Sequence, residues 1–142
     1  MQPGYVLVAD DSATDFELTN RALELGGVSH IVWVQDGEAA LDYVFRSGTY
    51  EQRVGGLPHL MLLDLHMPKI DGLDVLARIK SDPRTRPIPV VIMSSSDQES
   101  DMLRSYEHKA NSYIVKPTDF KQFTRQVSLL GKYWTSVNRA LD

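Results

Sequence analysis

Short apolar runs rich in β-branched residues alternate along this chain with longer stretches whose apolar positions repeat at helical spacing. The short runs fall at Tyr5 to Ala9, Ser29 to Val34, His59 to Leu63, Pro89 to Met93 and Ser112 to Val115. Strands that alternate with helices predict an α/β domain on a parallel sheet, because parallel neighbours need a crossover between them. Leu60 to Leu63 and Val90 to Met93 are apolar at every position, the pattern of central strands covered on both faces. Ile31 to Val34, beside Ser29, His30 and Gln35, read as a more peripheral strand.

The helices follow the strands. Ser12-Ala-Thr-Asp15 opens the first like a capping box, and Gly26-Gly27 supplies its stop. Ala40, Leu41, Val44 and Phe45 make one apolar stripe, and Val75, Leu76 and Ile79 another. A weaker fourth helix is expected from about Asp97 to Lys109, with Met102, Leu103 and Tyr106 on its apolar side. The segment Ser47 to Pro58 reads as a solvated loop, Tyr50 and Arg53 included. The last helix carries a longer seam: Phe120, Phe123, Val127, Leu130, Trp134, Val137 and Leu141. Core is expected through Leu130, with Gly131 as a hinge and residues 131–142 as a helical extension. Trp134, Val137 and Leu141 would then form an apolar interface, and a homodimer is expected.

With 142 residues the pattern fits one domain, 1–142. The fold expected is a doubly wound five-stranded parallel sheet, order 2-1-3-4-5, flanked by five helices. There is no cysteine, which removes disulfides, thiolate metal sites and thiol nucleophiles. Net charge is −4 without a Lys/Arg cluster, which argues against a nucleic-acid surface and for a protein partner. The first residues lack a basic region, and no apolar run approaches the ~18 residues of a membrane span. A soluble, cytoplasmic protein is the expectation.

Ligands of open parallel sheets bind beyond the carboxyl ends of the strands, where strand order reverses. Those ends carry Asp10-Asp11, Asp64, Ser94 and Lys116. Converging carboxylates repel unless a cation holds them, and magnesium prefers such hard oxygen ligands. Asp10, Asp11 and Asp64 are therefore the candidate magnesium ligands, with the backbone carbonyl of His66 as a further one. A carboxylate nucleophile, a divalent ion, a lysine and a hydroxyl suffice for phosphoryl transfer. Asp64 is the expected acceptor, Lys116 the charge-neutralising group and Ser94 the hydrogen-bonding hydroxyl. His30, His59 and His108 have no ligand spacing.

The stretches VLVADDS, LMLLDLHMPKIDGLDVLARIK, VVIMSSSD and NSYIVKP resemble the response-regulator receiver domains of bacterial two-component signalling, over nearly the whole chain. The resemblance implies a flavodoxin-like receiver fold and magnesium-dependent transfer from a phosphohistidine of a sensor histidine kinase to Asp64. It adds Tyr113 as an aromatic switch partner of Ser94, and a cis Lys116–Pro117 bond. The long loop before the third strand and the ending FTRQVSLLGKYWTSV are similar to stand-alone receivers, some serving bacterial phytochrome kinases, that dimerise through the carboxyl-terminal region. No helix-turn-helix follows the fifth helix, so the switch is expected to relay its signal to an unknown downstream protein. His66 stands where many receivers carry asparagine, and Lys109 where many carry glycine.

Two enzyme-like or ligand-binding alternatives fit less well. An aspartyl phosphatase of the haloacid dehalogenase type would want a second aspartate at position 66, which is histidine. A flavodoxin-like nucleotide binder would want a neutral phosphate loop after the first strand, where Asp10-Asp11 would repel phosphate. A scaffold of the same fold that is never phosphorylated leaves the full set of site residues unexplained.

Overall fold

The order of elements in the computed structural model, which describes residues 4–116 and 119–140, follows the alternation of the sequence. The chain runs β1 (Val6–Ala9), α1 (Ala13–Leu25), β2 (Ile31–Val34) and α2 (Gly37–Phe45), then a 3₁₀ turn at Gly48–Tyr50. It continues through β3 (Leu60–Asp64), α3 (Gly72–Ser81), β4 (Val90–Ser94), α4 (Glu99–Glu107), β5 (Ser112–Val115) and α5 (Phe120–Lys132). A π-helical turn at Tyr133–Val137 prolongs α5. The strands form one parallel sheet in the order β2-β1-β3-β4-β5. The expected cis Lys116–Pro117 bond and the interface position Leu141 lie outside the described residues.

Strand period two sends alternate residues to opposite faces. Val6, Val8, Leu60, Leu62, Val91 and Met93 meet Ala22 and Leu23 of α1 and Phe123 and Val127 of α5. Leu7, Ala9, Met61, Leu63, Val90 and Ile92 meet the stripes of α2 and α3. Both faces of β1, β3 and β4 are thus closed, and each buried Leu, Ile or Val contributes about 1.5–3 kcal/mol. The edge strand β2 keeps three of its four residues partly exposed, as its polar flanks suggest.

Where α1 turns into β2 the helices α1 and α5 press together. A Cβ on Gly26 would lie 2.3 Å from the Ser128 carbonyl oxygen, so only glycine fits. Gly131 answers from the other side, its added Cβ falling 2.8 Å from Val28 Cγ2. Gly131 is therefore a close-packing position inside α5 and not the expected hinge, since α5 runs through it to Lys132.

Four further expectations change. Phe120 begins the seam but is 61% exposed, because it stands at the first turn of α5, short of the sheet. Trp134, expected to be exposed, is half-buried and packs against the α1/α5 core, whereas Val137 is 58% exposed. Helix α4 buries Asp101 and Ser105 and leaves Leu103 and Tyr106 outside, because the buried side is held by polar bonds. The Ser105 hydroxyl donates to the Asp101 carbonyl (2.8 Å), and the Asp101 carboxylate accepts from Ser96 and Arg104, both at 2.6 Å. Tyr50 and Arg53 are not merely solvated: both pack on Tyr43, the guanidinium 4.2 Å from its ring centroid.

Candidate functional site

Register gathers the strand-end residues. Ala9 pairs with Leu63, which sets Asp10 beside Asp64; Asp64 pairs with Met93 and Ser94 with Val115, which sets Lys116 one step beyond. Asp10, Asp11 and Asp64 each offer a carboxylate oxygen, all within 4.8 Å of one another. Lys116 Nζ reaches Asp15 Oδ2 at 3.0 Å, Asp10 Oδ2 at 3.1 Å and Asp64 Oδ2 at 3.2 Å.

Local backbone fixes these groups. The Ser12 N–H donates to Asp10 Oδ1 (2.9 Å), and the His66 N–H donates to Asp64 Oδ1 (3.1 Å). Trp33 Nε1 donates to the Asp10 carbonyl (2.8 Å) while its ring stacks on Phe16 at 4.4 Å, tying the edge strand to the site. A Cβ on Gly72 would sit 2.3 Å from the Asp64 carbonyl oxygen, so this glycine lets α3 start directly against the end of β3. Its signal in the sequence is the Asp71-Gly72 pair before a helical stripe.

Burial makes the arrangement expensive for its charges. It raises the Asp10 carboxyl above its ordinary range, against the opposing pull of the Ser12 N–H and of Lys116, and the Asp64 charge adds to the rise. Burial alone would lower Lys116, but the Asp64 and Asp10 charges and the hydrogen bonds of Asp15 and Asp10 outweigh it and hold the ammonium well above the lysine range. Three carboxylates thus share one ammonium, and a fourth, that of Asp11, lies beside Asp10 and Asp64. An all-oxygen set with surplus negative charge fits a hard divalent cation such as magnesium.

Ser94 is fully buried at the end of β4, its hydroxyl oxygen accepting from the Ser96 N–H (3.1 Å). The Ser94 carbonyl accepts from the Lys116 N–H at 2.7 Å. Tyr113 is half-buried, and its hydroxyl donates to the Ser96 carbonyl (2.9 Å). Ser96 is held in turn by Asp101, whose carboxyl the Ser96 and Arg104 hydrogen bonds keep below the usual range. His66 is exposed at the rim. Trp134 and Val137 lie on the α5 extension, apart from the carboxylates. Sequence reasoning took Asp15 for a capping residue only; its carboxylate belongs to this site. An open groove of about 610 Å³ between the far ends of α2 and α3 holds none of these residues.

The relatives of the chain carry the same theme. The profile of the response regulator receiver domain matches residues 6–128. The probable methanogenesis regulatory protein FilR2 of Methanothrix harundinacea is 40% identical over 97% of this chain and 88% of its own length. The Mn(2+)-bound form of response regulator Rcp1 superposes with a TM-score of 0.89 at 33% identity, covering 99% of this chain and 100% of that one. The phosphorylated cyanobacterial phytochrome response regulator RcpA does so with a TM-score of 0.90 at 36% identity and the same coverage. By fold, by strand-end chemistry and by this match over most of its length, the chain belongs to the response regulator receiver domain family.

Proposed function

We propose that this receiver domain is a phosphorylation switch whose acceptor is Asp64. The observation that carries the reading is the meeting of Asp10, Asp11 and Asp64 oxygens within 4.8 Å, with Lys116 Nζ 3.2 Å from Asp64. The donor is a phosphohistidine of a sensor histidine kinase, and the likeness to a phytochrome response regulator favours a kinase of the phytochrome type. A carboxylate oxygen of Asp64 forms a bond to phosphorus as the phosphorus–nitrogen bond of the donor breaks, and the freed imidazole nitrogen takes up a proton. The product is an acyl phosphate, which water later cleaves to phosphate and the Asp64 carboxylate.

Asp10, Asp11, Asp64 and the His66 carbonyl would hold magnesium. When bound, that ion offsets the charge of the phosphoryl oxygens and of the crowded carboxylates. Lys116 donates a hydrogen bond to the phosphoryl group, and Ser94 donates its hydroxyl proton to another phosphoryl oxygen. The shift of Ser94 passes to the loop after β4 and to Tyr113, whose hydroxyl is bonded to that loop. Helix α4, β5 and α5 then present a changed surface to a downstream protein.

In this reading residues 1–142 form one cytoplasmic receiver domain, and the helical extension expected over 131–142 stops at Val137, because Asn138 takes extended backbone. Its exposed Val137, beside the half-buried Trp134, supports homodimer formation. The primary test is intact-mass analysis after incubation with acetyl phosphate and magnesium. One phosphoryl group is expected, mapped to Asp64 and absent from Asp64→Asn, a loss of more than about 100-fold. A label on any other residue overturns the assignment.

A further inference from the structure

Asp15 departs from the role that its sequence position suggests. In a capping box the acidic side chain returns to the N–H of the cap residue. Here Ser12 Oγ accepts from the Asp15 N–H (3.2 Å), but the Ser12 N–H is taken by Asp10 Oδ1 at 2.9 Å. The Asp15 carboxylate instead makes the shortest of the three contacts to Lys116 Nζ, at 3.0 Å. It does so from a different element, α1, and with a side chain 42% exposed, whereas those of Asp10 and Asp64 are 2% and 12% exposed.

The ammonium therefore divides its three protons among three carboxylates. Without Asp15 the same charge would fall on Asp10 and Asp64 alone, the two buried groups that a divalent cation also needs. An ammonium and a metal ion compete for the same lone pairs.

We infer that Asp15 is a positioning residue that draws Lys116 toward α1 and so leaves Asp10 and Asp64 able to bind a divalent cation. The inference rests on the phosphorylation-switch reading and extends it to a residue outside the acceptor and ligand set. It differs from the simpler role of an acidic residue favouring the start of a helix, which would affect folding and not cation binding.

Calorimetric titration of the metal-free protein with magnesium chloride separates these cases. Asp15→Asn is expected to weaken magnesium binding about fivefold, the scale of one partly exposed ion pair. Asp15→Glu should restore it to within about twofold. In a Lys116→Met or Lys116→Gln background the same Asp15→Asn change should alter affinity less than about twofold, because the ammonium it restrains is gone. Unchanged binding in Asp15→Asn, with or without lost stability, overturns the inference, as does an equal fivefold loss in the Lys116 variants. Should those variants fail to fold, the loss in Asp15→Asn and its recovery in Asp15→Glu remain decisive. A wild-type protein that binds no magnesium overturns the underlying reading, and this inference with it.

Discussion

Two half-buried lysines stand at opposite ends of the sheet, and they are solvated in opposite ways. Near the amino ends of β4 and β5, Lys80 Nζ donates to the carbonyls of Ile88 (2.6 Å) and Arg86 (3.0 Å) and to Asn111 Oδ1 (3.2 Å). Among the described residues no carboxylate joins them, and burial lowers its pKa. At the carboxyl ends Lys116 meets three carboxylates and is held well above the usual range. Carbonyl dipoles match one charge and leave no surplus. The carboxylates leave a surplus, kept in low dielectric where repulsion is strong, and a site with stored repulsion is one that a cation can relieve. The amino end is built for holding the fold, and the carboxyl end for binding.

The amino end should carry the larger stability effects. Tyr43, 6% exposed, packs edge-on against Tyr5 and Tyr50 and lies under Arg53, which also donates to its carbonyl. Tyr43→Ala is expected to cost about 3 kcal/mol in urea unfolding, by loss of a buried aromatic and release of the loop before β3. Phosphoryl acceptance by the folded fraction should persist. If acceptance vanished while stability held, the two ends would not be separable in this way.

At the carboxyl end the opposite sign is expected. Asp10→Asn should stabilise the metal-free protein by about 1 kcal/mol at neutral pH, because it removes a desolvated charge while Lys116 keeps Asp15 and Asp64. The folded pKa of Asp10 is raised above its ordinary 3.8, so between the two values the folded state binds more protons than the unfolded one. Its cost therefore sets in as pH rises from 3.8 through the raised value, and is absent below 3.8. Unfolding curves of wild type and variant in chelator should converge on acidification. A gap that widened instead would mean that the carboxylate is stabilised where it stands.

The smallest effect sharpens the comparison within the amino end itself. Lys109, just before β5, has φ +72°, left-handed backbone that glycine adopts without strain. Lys109→Gly should gain about 0.5 kcal/mol, the relieved strain slightly exceeding the added chain entropy. Chemical denaturation would measure it, and a loss would show that the lysine side chain contributes more than its backbone costs.

The central strands were legible because covering both faces of a parallel strand demands unbroken apolar runs, as at Leu60 to Leu63 and Val90 to Met93. Asp10, Asp64 and Lys116 were legible because each directly follows or ends such a run. Helix α4 was misread because its buried side is polar, and hydrophobic periodicity does not register a carboxylate buried by hydrogen bonds. The α5 seam carried no mark of where the sheet stops. Phe120, in the first turn of α5, stands short of the sheet and is exposed, whereas Trp134 packs against the α1/α5 core beyond the close approach at Gly26 and Gly131.

What the chain alone determined is the alternation of strands and helices, the acidic and basic residues at strand ends, and the family they belong to, since hydrophobic period and residue type are properties of local sequence. What tertiary structure decided is which carboxylates share the lysine. Asp15 and Lys116 are 101 positions apart, and only the packing of α1 beside β1 and the pairing of β4 with β5 bring their side chains to 3.0 Å. Register and helix packing set distances between remote groups, and electrostatic coupling in a buried site depends on those distances.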